Sequence, residues 1–183
     1  MSAKRDWTKL DEAILHVAAK SAGDETFGSV KLNKILFYAD FESFATRGES
    51  ITGEDYIKQP FGPVPCHAEK RISKLEQAGR ATLVERKAHG YRQKVLIHLD
   101  QPNLDELSGS DVALLDRVIE RFRDLPARDV SDLSHRFIGW RAAEVGEKIP
   151  YSTALVAQGA PTLEKLGIAE ALAGELGKSK AAR

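Results

Sequence analysis

Few residues in this chain could do chemistry by their type and spacing. Cys66 stands beside His67, Ser134 stands beside His135, and Asp40 sits alone within an otherwise apolar run. A thiol or hydroxyl next to an imidazole suggests a nucleophile and its base. Adjacent residues on a helix point about 100° apart, however, so neither pair faces itself. Cys66 reads as a partly buried thiol at a helix start, and Ser134 as a capping or turn residue. The five histidines (His16, His67, His89, His98 and His135) show no zinc-ligand spacing with a second His, Cys or acid. There is no P-loop, no dinucleotide-binding glycine pattern and no G-x-S-x-G elbow. Phe61-Gly62-Pro63 places one glycine between bulky and rigid residues, which cannot cradle a phosphate with successive N–H groups.

Asp40 admits two readings. It could be a general base whose pKa is raised by burial. It could instead accept hydrogen bonds from a neighbouring segment, for example near Gly62 or from His135, and fix the core. The second reading is preferred, because no partner acid, metal motif or nucleophile lies at helical spacing from it. Lys31 and Lys34 flank the same helix start and read as surface lysines that snorkel along it. These residues point away from an enzyme and require no cofactor.

The elements that must position these groups follow from periodicity. Residues 8–20 read as a helix with Leu10, Ile14, Val17 and Ala18 on one face and Asp11 and Glu12 near its N-terminal end. Residues 30–46 are apolar nearly all round, so this helix belongs at the centre, closed by Gly48. Residues 49–62 read as mostly extended. Pro63 or Pro65 then opens a helix over about 64–79, with Val64, Ala68, Ile72 and Leu75 on a stripe. The period next changes to two. Thr82–Arg86 and Gln93–Leu99 form a hairpin around Ala88-His89-Gly90, giving a helix-plus-wing pattern similar to a winged helix. Ser108 or Ser110 caps a helix over about 110–124, a further helix covers about 130–143, and Ile149-Pro150-Tyr151 is extended. Pro161 opens a last helix with Leu163, Leu166, Leu172 and Leu176, before a frayed tail. The expected fold is mainly α: a compact bundle of about six helices with one small antiparallel hairpin. Residues 1–155 form the domain and 156–183 a C-terminal helix and tail.

The 183 residues suit one core, and 27 basic residues balance 27 acidic ones. That balance excludes a global field toward nucleic acid or membrane. It conceals a local asymmetry. Residues 69–94 carry eight basic side chains against three acids, and residues 100–132 carry four against nine. The basic set includes Lys70, Arg71, Lys74, Arg86, Lys87, Arg92 and Lys94, a candidate surface for steering a charged partner. A single cysteine forbids an intramolecular disulfide. No apolar run approaches the ~18 residues of a membrane helix, and the polar start lacks a signal-peptide core. A cytoplasmic protein is expected.

Several pieces in order carry a resemblance. They are Lys31-Leu32, Lys34, Leu36-Phe37-Tyr38-Ala39-Asp40; then Ile51-Thr52-Gly53, Tyr56 and Phe61-Gly62-Pro63-Val64-Pro65; then Asp116 to Phe122, Leu133-Ser134-His135, Trp140, Gly146-Glu147 and Ile149-Pro150-Tyr151. Over roughly residues 8–155 this resembles the Panacea domain, the SocA-like antitoxin family that also includes phage-associated proteins. The resemblance implies a mostly helical domain from toxin–antitoxin operons that neutralises a cognate protein toxin by direct binding. In the SocA branch it implies an adaptor that delivers the toxin to the ClpXP protease. A regulator binding operator DNA through the basic helix and wing is a further alternative. The shared positions Lys31, Leu36, Tyr38, Asp40, Gly62, Pro63, His135, Trp140 and Pro150 are expected to be fold determinants. Partner specificity is then left to the hairpin of 81–99 and the segment after 152.

Overall fold

The computed structural model describes residues 5–88 and 91–156. Among these, seven helices and two small antiparallel sheets surround one core. The expected final helix from Pro161, its leucine stripe, the tail, and the loop residues His89 and Gly90 lie outside the described residues.

Helix α1 (Trp7–Lys20) starts where Asp6 accepts hydrogen bonds from the backbone N–H groups of Thr8 (3.0 Å) and Lys9 (3.1 Å). Asp11 and Glu12 do not serve the helix dipole as expected. They lie beyond the first turn and act as tertiary anchors. Asp11 accepts Arg71 Nε at 2.6 Å, and buried Glu12 accepts Arg80 Nη1 at 2.7 Å and the Asn103 N–H at 2.7 Å. Helix α2 (Ser29–Arg47) is the central one, in contact with α1 and with five elements defined below. Gly48, in the left-handed region at φ 78°, ends it.

The segment after α2 departs from expectation. Strand β1 (Tyr56–Gln59) pairs with β2 (Gly62–Pro65), register Ile57 to Val64, so residues 62–65 are strand and not the first turn of a helix. Helix α3 begins only at Ala68 and runs to Gln77, burying Ala68, Ile72 and Leu75. Pro63 and Pro65 suit a helix start, but they suit an edge strand equally when their missing N–H groups would point outward. That is the situation here. Tyr56 and Lys58 direct their backbone groups away from β2, to Gly146, Glu147 and Ile149. Ile57 therefore faces Val64, and the two prolines face away from β1.

The second sheet matches the expected hairpin: β3 (Ala81–Ala88) pairs with β4 (Tyr91–His98). Val95 and Leu96 are buried, whereas Ile97 and Leu99 are exposed. After a 3-10 turn (Leu104–Glu106), α4 (Gly109–Phe122) opens with a capping box between Ser108 and Asp111. Leu114, Leu115, Val118, Ile119 and Phe122 are all buried, as their spacing predicts. The helix expected over 130–143 is broken in two, α5 (Ala127–Ser134) and α6 (Ile138–Ala142), because extended Phe137 turns inward between them. Its ring meets Phe37 and Phe41 edge-on at 5.1 and 5.3 Å. A short α7 (Thr153–Val156) completes the described chain. Helices α4, α5 and α7 and strands β2 and β4 all pack on α2.

Asp40 lies on α2 with 1% exposure. It accepts from the Thr52 N–H at 2.8 Å, the Thr52 hydroxyl at 2.5 Å and the Tyr56 hydroxyl at 2.8 Å. Its partners are therefore the residues that follow α2, and neither the Gly62 region nor His135. Burial raises its carboxyl to about 6 against the pull of these donors. Asp40→Ala strands three buried donors, so it should lower unfolding free energy by about 3 kcal/mol. Asp40→Asn keeps an acceptor for the Thr52 N–H and lets the hydroxyls rotate, so it should stay within about 1 kcal/mol of the parent. Denaturant titration of the two variants tests this; equal losses would show that the donors need no acceptor.

Candidate partner-binding surface

The surface groups are placed by polar anchors inside the fold. Lys31 and Lys34 are not snorkelling surface lysines: their exposures are 0% and 1%. Lys31 pairs with buried Asp24 and donates to Thr26 Oγ1 at 2.8 Å. Burial alone would raise the Asp24 carboxyl, but Lys31 and Thr26 outweigh it and hold it below the ordinary value. This pair fixes the loop between α1 and α2. Lys34 is different. Among the described residues its ammonium bonds only to the Pro63 carbonyl, at 3.0 Å, and no carboxylate is paired with it. Burial lowers its pKa to about 8.

Lys34 sets the β1–β2 hairpin. Gly62 takes φ 101°, and an added Cβ would lie 2.6 Å from Lys34 Cε and 2.3 Å from Ser134 Oγ. Only glycine fits there. The turn beside it carries Phe61, 76% exposed. Trp140 Nε1 donates to the Gln59 carbonyl at 3.2 Å, Lys58 Nζ lies 4.3 Å from the Trp140 ring centroid, and the His135 ring stacks on Trp140 at 4.2 Å. Ser134 Oγ donates to the Ser131 carbonyl, which is a local turn bond. Leu36 is buried, Tyr38 packs edge-on against Phe122 with its hydroxyl pKa pushed up to about 12 by burial, and the Pro150 carbonyl accepts from Thr153.

No catalytic constellation is assembled by these positions. Asp40 and His135 are engaged elsewhere, and the groove beside Tyr38 contains neither. Cys66 is exposed, two residues before α3, and partial desolvation of its sulfur, with Glu54 and Asp55 nearby, raises its thiol pKa. A thiol with a raised pKa is a poor nucleophile. His67 Nδ1 meets Glu54 at 2.8 Å. Among the described residues no group of three potential metal ligands converges.

The seven basic candidates divide into two kinds. Arg71 is committed to Asp11, and Arg86 to the Glu25 carbonyl at 2.8 Å, with Phe27 at 3.3 Å, which pins the hairpin to the α1–α2 loop. Lys70, Lys74, Lys87, Arg92 and Lys94 are exposed. Register places Lys87 opposite Arg92 and Glu85 opposite Lys94. By strand alternation these four share one face, opposite to that of Arg86. The outer hairpin thus presents three cations and one acid to solvent. The sequence did not reveal which arginines are internal, because their acceptors lie far away in the chain.

The family model described as antitoxin SocA-like, Panacea domain, matches residues 32–141, more than half of the 183-residue chain. Helix α1 precedes that span, yet Leu10, Ala13, Ile14 and Val17 on it are fully buried. None of the curated proteins and none of the solved structures matches the chain.

The Lys34 anchor carries a signed pH dependence. Its folded pKa, about 8, lies below the ordinary 10.5. Between these values the unfolded chain holds a proton that the folded one lacks, so stability rises with pH across that window. Lys34→Met keeps the stem and removes the ammonium. Urea titrations from pH 7 to 10.5 should show the rise in the parent and its loss in Lys34→Met, with the variant as stable as the parent or more so at pH 7. A parallel pH profile for the two would exclude Lys34 as its source.

Proposed function

The chain belongs to the SocA-like antitoxin family of Panacea domains, and from that premise we propose that it neutralises a cognate protein toxin by binding it directly. The family match over residues 32–141 is the observation that carries this reading. The structure supports it in a second way. Asp40, His67 and Ser134, polar groups that sequence alone could assign to catalysis, are hydrogen-bonded within the fold. A binding protein needs a rigid frame with an adaptable surface, and the anchored core with its exposed hairpin supplies both.

The outer hairpin is the proposed contact surface. Lys87, Arg92 and Lys94 share one face of the hairpin, Lys70 and Lys74 are exposed on the preceding helix, and the acidic surface of a toxin would complement them. Arg71 and Arg86 hold that surface in place. We read the chain as non-enzymatic and as needing no cofactor. Delivery to the ClpXP protease requires a second face for the protease, and toxin half-life with and without this chain separates an adaptor from a simple blocker. Operator binding through α3 and the hairpin would use the same cations. Among the described residues no helix is long and apolar enough to cross a membrane.

Co-expression with the neighbouring open reading frame tests the reading. The neighbour should arrest growth alone and be harmless with this chain; a neighbour that is innocuous alone would remove the support for an antitoxin. Lys87→Glu, Arg92→Glu and Lys94→Glu together should weaken toxin binding at least about tenfold and leave thermal stability within a few degrees, because exposed charges contribute little to folding. Unchanged binding would move the interface off the hairpin.

A further inference from the structure

Strand β3 pairs with β4 alone in a two-stranded sheet, so its other margin is an edge. Three contacts fix which residues point to that edge. The Arg80 carbonyl accepts the Leu99 N–H at 2.8 Å, so even-numbered residues of β3 direct their backbone groups to β4. Leu83 donates its N–H at 2.7 Å to Glu76 of α3, away from β4. Lys94, which lies opposite Glu85, accepts Ser29 Oγ on its carbonyl at 3.1 Å, on the far side of β4. By this alternation Glu85 and Lys87 direct their N–H and C=O groups outward from the sheet. Among the described residues nothing pairs with them. Such an edge is a template for another strand.

The side chains beside the edge select what can be added. Glu85, Lys87, Arg92 and Lys94 share one face and are all exposed. Glu85 lies 3.9 Å from Arg92, and neither Lys87 nor Lys94 closes on a carboxylate among the described residues. On the opposite face Val84 is 39% exposed. A strand laid along β3 alternates its side chains between the same two faces. On the charged face acids are favoured, except directly opposite Glu85, and on the other face apolar residues are favoured against Val84. A second copy of β3 would bring the same surplus of cations and is the poorer match.

We propose that the outer edge of β3 at Glu85 and Lys87 takes an extended segment of the cognate toxin by strand addition, a segment that alternates acidic and apolar side chains. The inference rests on the hairpin's being the contact surface proposed above, and it names how that surface binds. Main-chain hydrogen bonds supply affinity, and the alternation of side chains supplies selectivity. Glu76, seated on the Leu83 N–H, closes the edge at one end, so a segment of about five residues fills it.

The test titrates the capped peptide acetyl-Glu-Val-Thr-Val-Glu-Val-amide to millimolar concentration against the full chain at low ionic strength, with amide hydrogen exchange followed residue by residue. The Glu85 and Lys87 amides should exchange at least about tenfold more slowly in the complex. N-methylation of alternate peptide amides should abolish binding in one phase and leave it in the other, a signature that requires no change to the protein. Glu85→Pro removes one outward N–H and spares the pairing with β4, so it should lose the peptide where Glu85→Ala keeps it, with the Val95 amide still protected in both. No binding at millimolar peptide overturns the proposal. Binding indifferent to the phase of N-methylation is charge attraction alone and also overturns it. Slow exchange of Glu85 and Lys87 in the free protein that grows with protein concentration assigns the edge to a second copy, which overturns it as well. The peptide contains no part of a toxin, so its failure leaves the antitoxin reading standing, and an innocuous neighbour in co-expression leaves the peptide result standing.

Discussion

A helix packed over most of its circumference cannot send its inward polar side chains to water, and the fold is arranged around that constraint on α2. Lys31, Lys34, Asp40 and Ser43 are all buried on it. Each meets a different segment: Lys31 the loop before the helix, Lys34 the β2 carbonyl, Asp40 the Thr52–Tyr56 stretch, and Ser43 the Glu49 carbonyl. The polar groups thus do what apolar packing alone does poorly, which is to select one register for each neighbour. Burying them without partners would cost several kcal/mol. The chain that leaves α2 in either direction is consequently held within a few residues of it. A second layer of ion pairs, Asp11 with Arg71 and Glu12 with Arg80, fastens α3 and β3 to α1.

What could be read from the sequence was the part governed by local periodicity. The apolar stripes of α1, α2 and α4, the Gly48 terminus and the change to period two at β3 and β4 all depend on neighbours within a few residues. The ordered signature that gives the family is equally local. The misreadings occurred where one residue type serves two structures. Pro63 and Pro65 fit a helix start or an outward edge strand, and only the Glu147–Ile149 segment pairing on the other side of β1 decides between them. Lys31 and Lys34 look like surface lysines because their partners, Asp24 and the Pro63 carbonyl, carry no spacing signal. The break at Phe137 depends on an aromatic cavity that α2 and β1 create together.

The zero net charge acquires a different meaning in the structure. Much of the balance is internal: Arg47, Arg71, Arg80 and Arg121 each close on a carboxylate from another element. The positive segment around 69–94 is therefore less basic at its surface than its composition suggests. Of that segment's cations, the ones that remain outward are Lys70 and Lys74 on α3 and Lys87, Arg92 and Lys94 on the outer half of the hairpin. A surface of this kind steers a partner of opposite sign and contributes modestly to affinity until apolar contacts add to it.

The small β1–β2 sheet has one further consequence. One side of β1 is taken by Glu147 and Ile149, and β2 turns Pro63 and Pro65 to its own outer side. Neither margin offers a row of free N–H donors, so no extended peptide can lengthen this sheet by strand addition. The protein is thereby protected at this sheet from templating its own aggregation. Whatever engages this side of the molecule must read side chains, with Phe61 the most prominent of them.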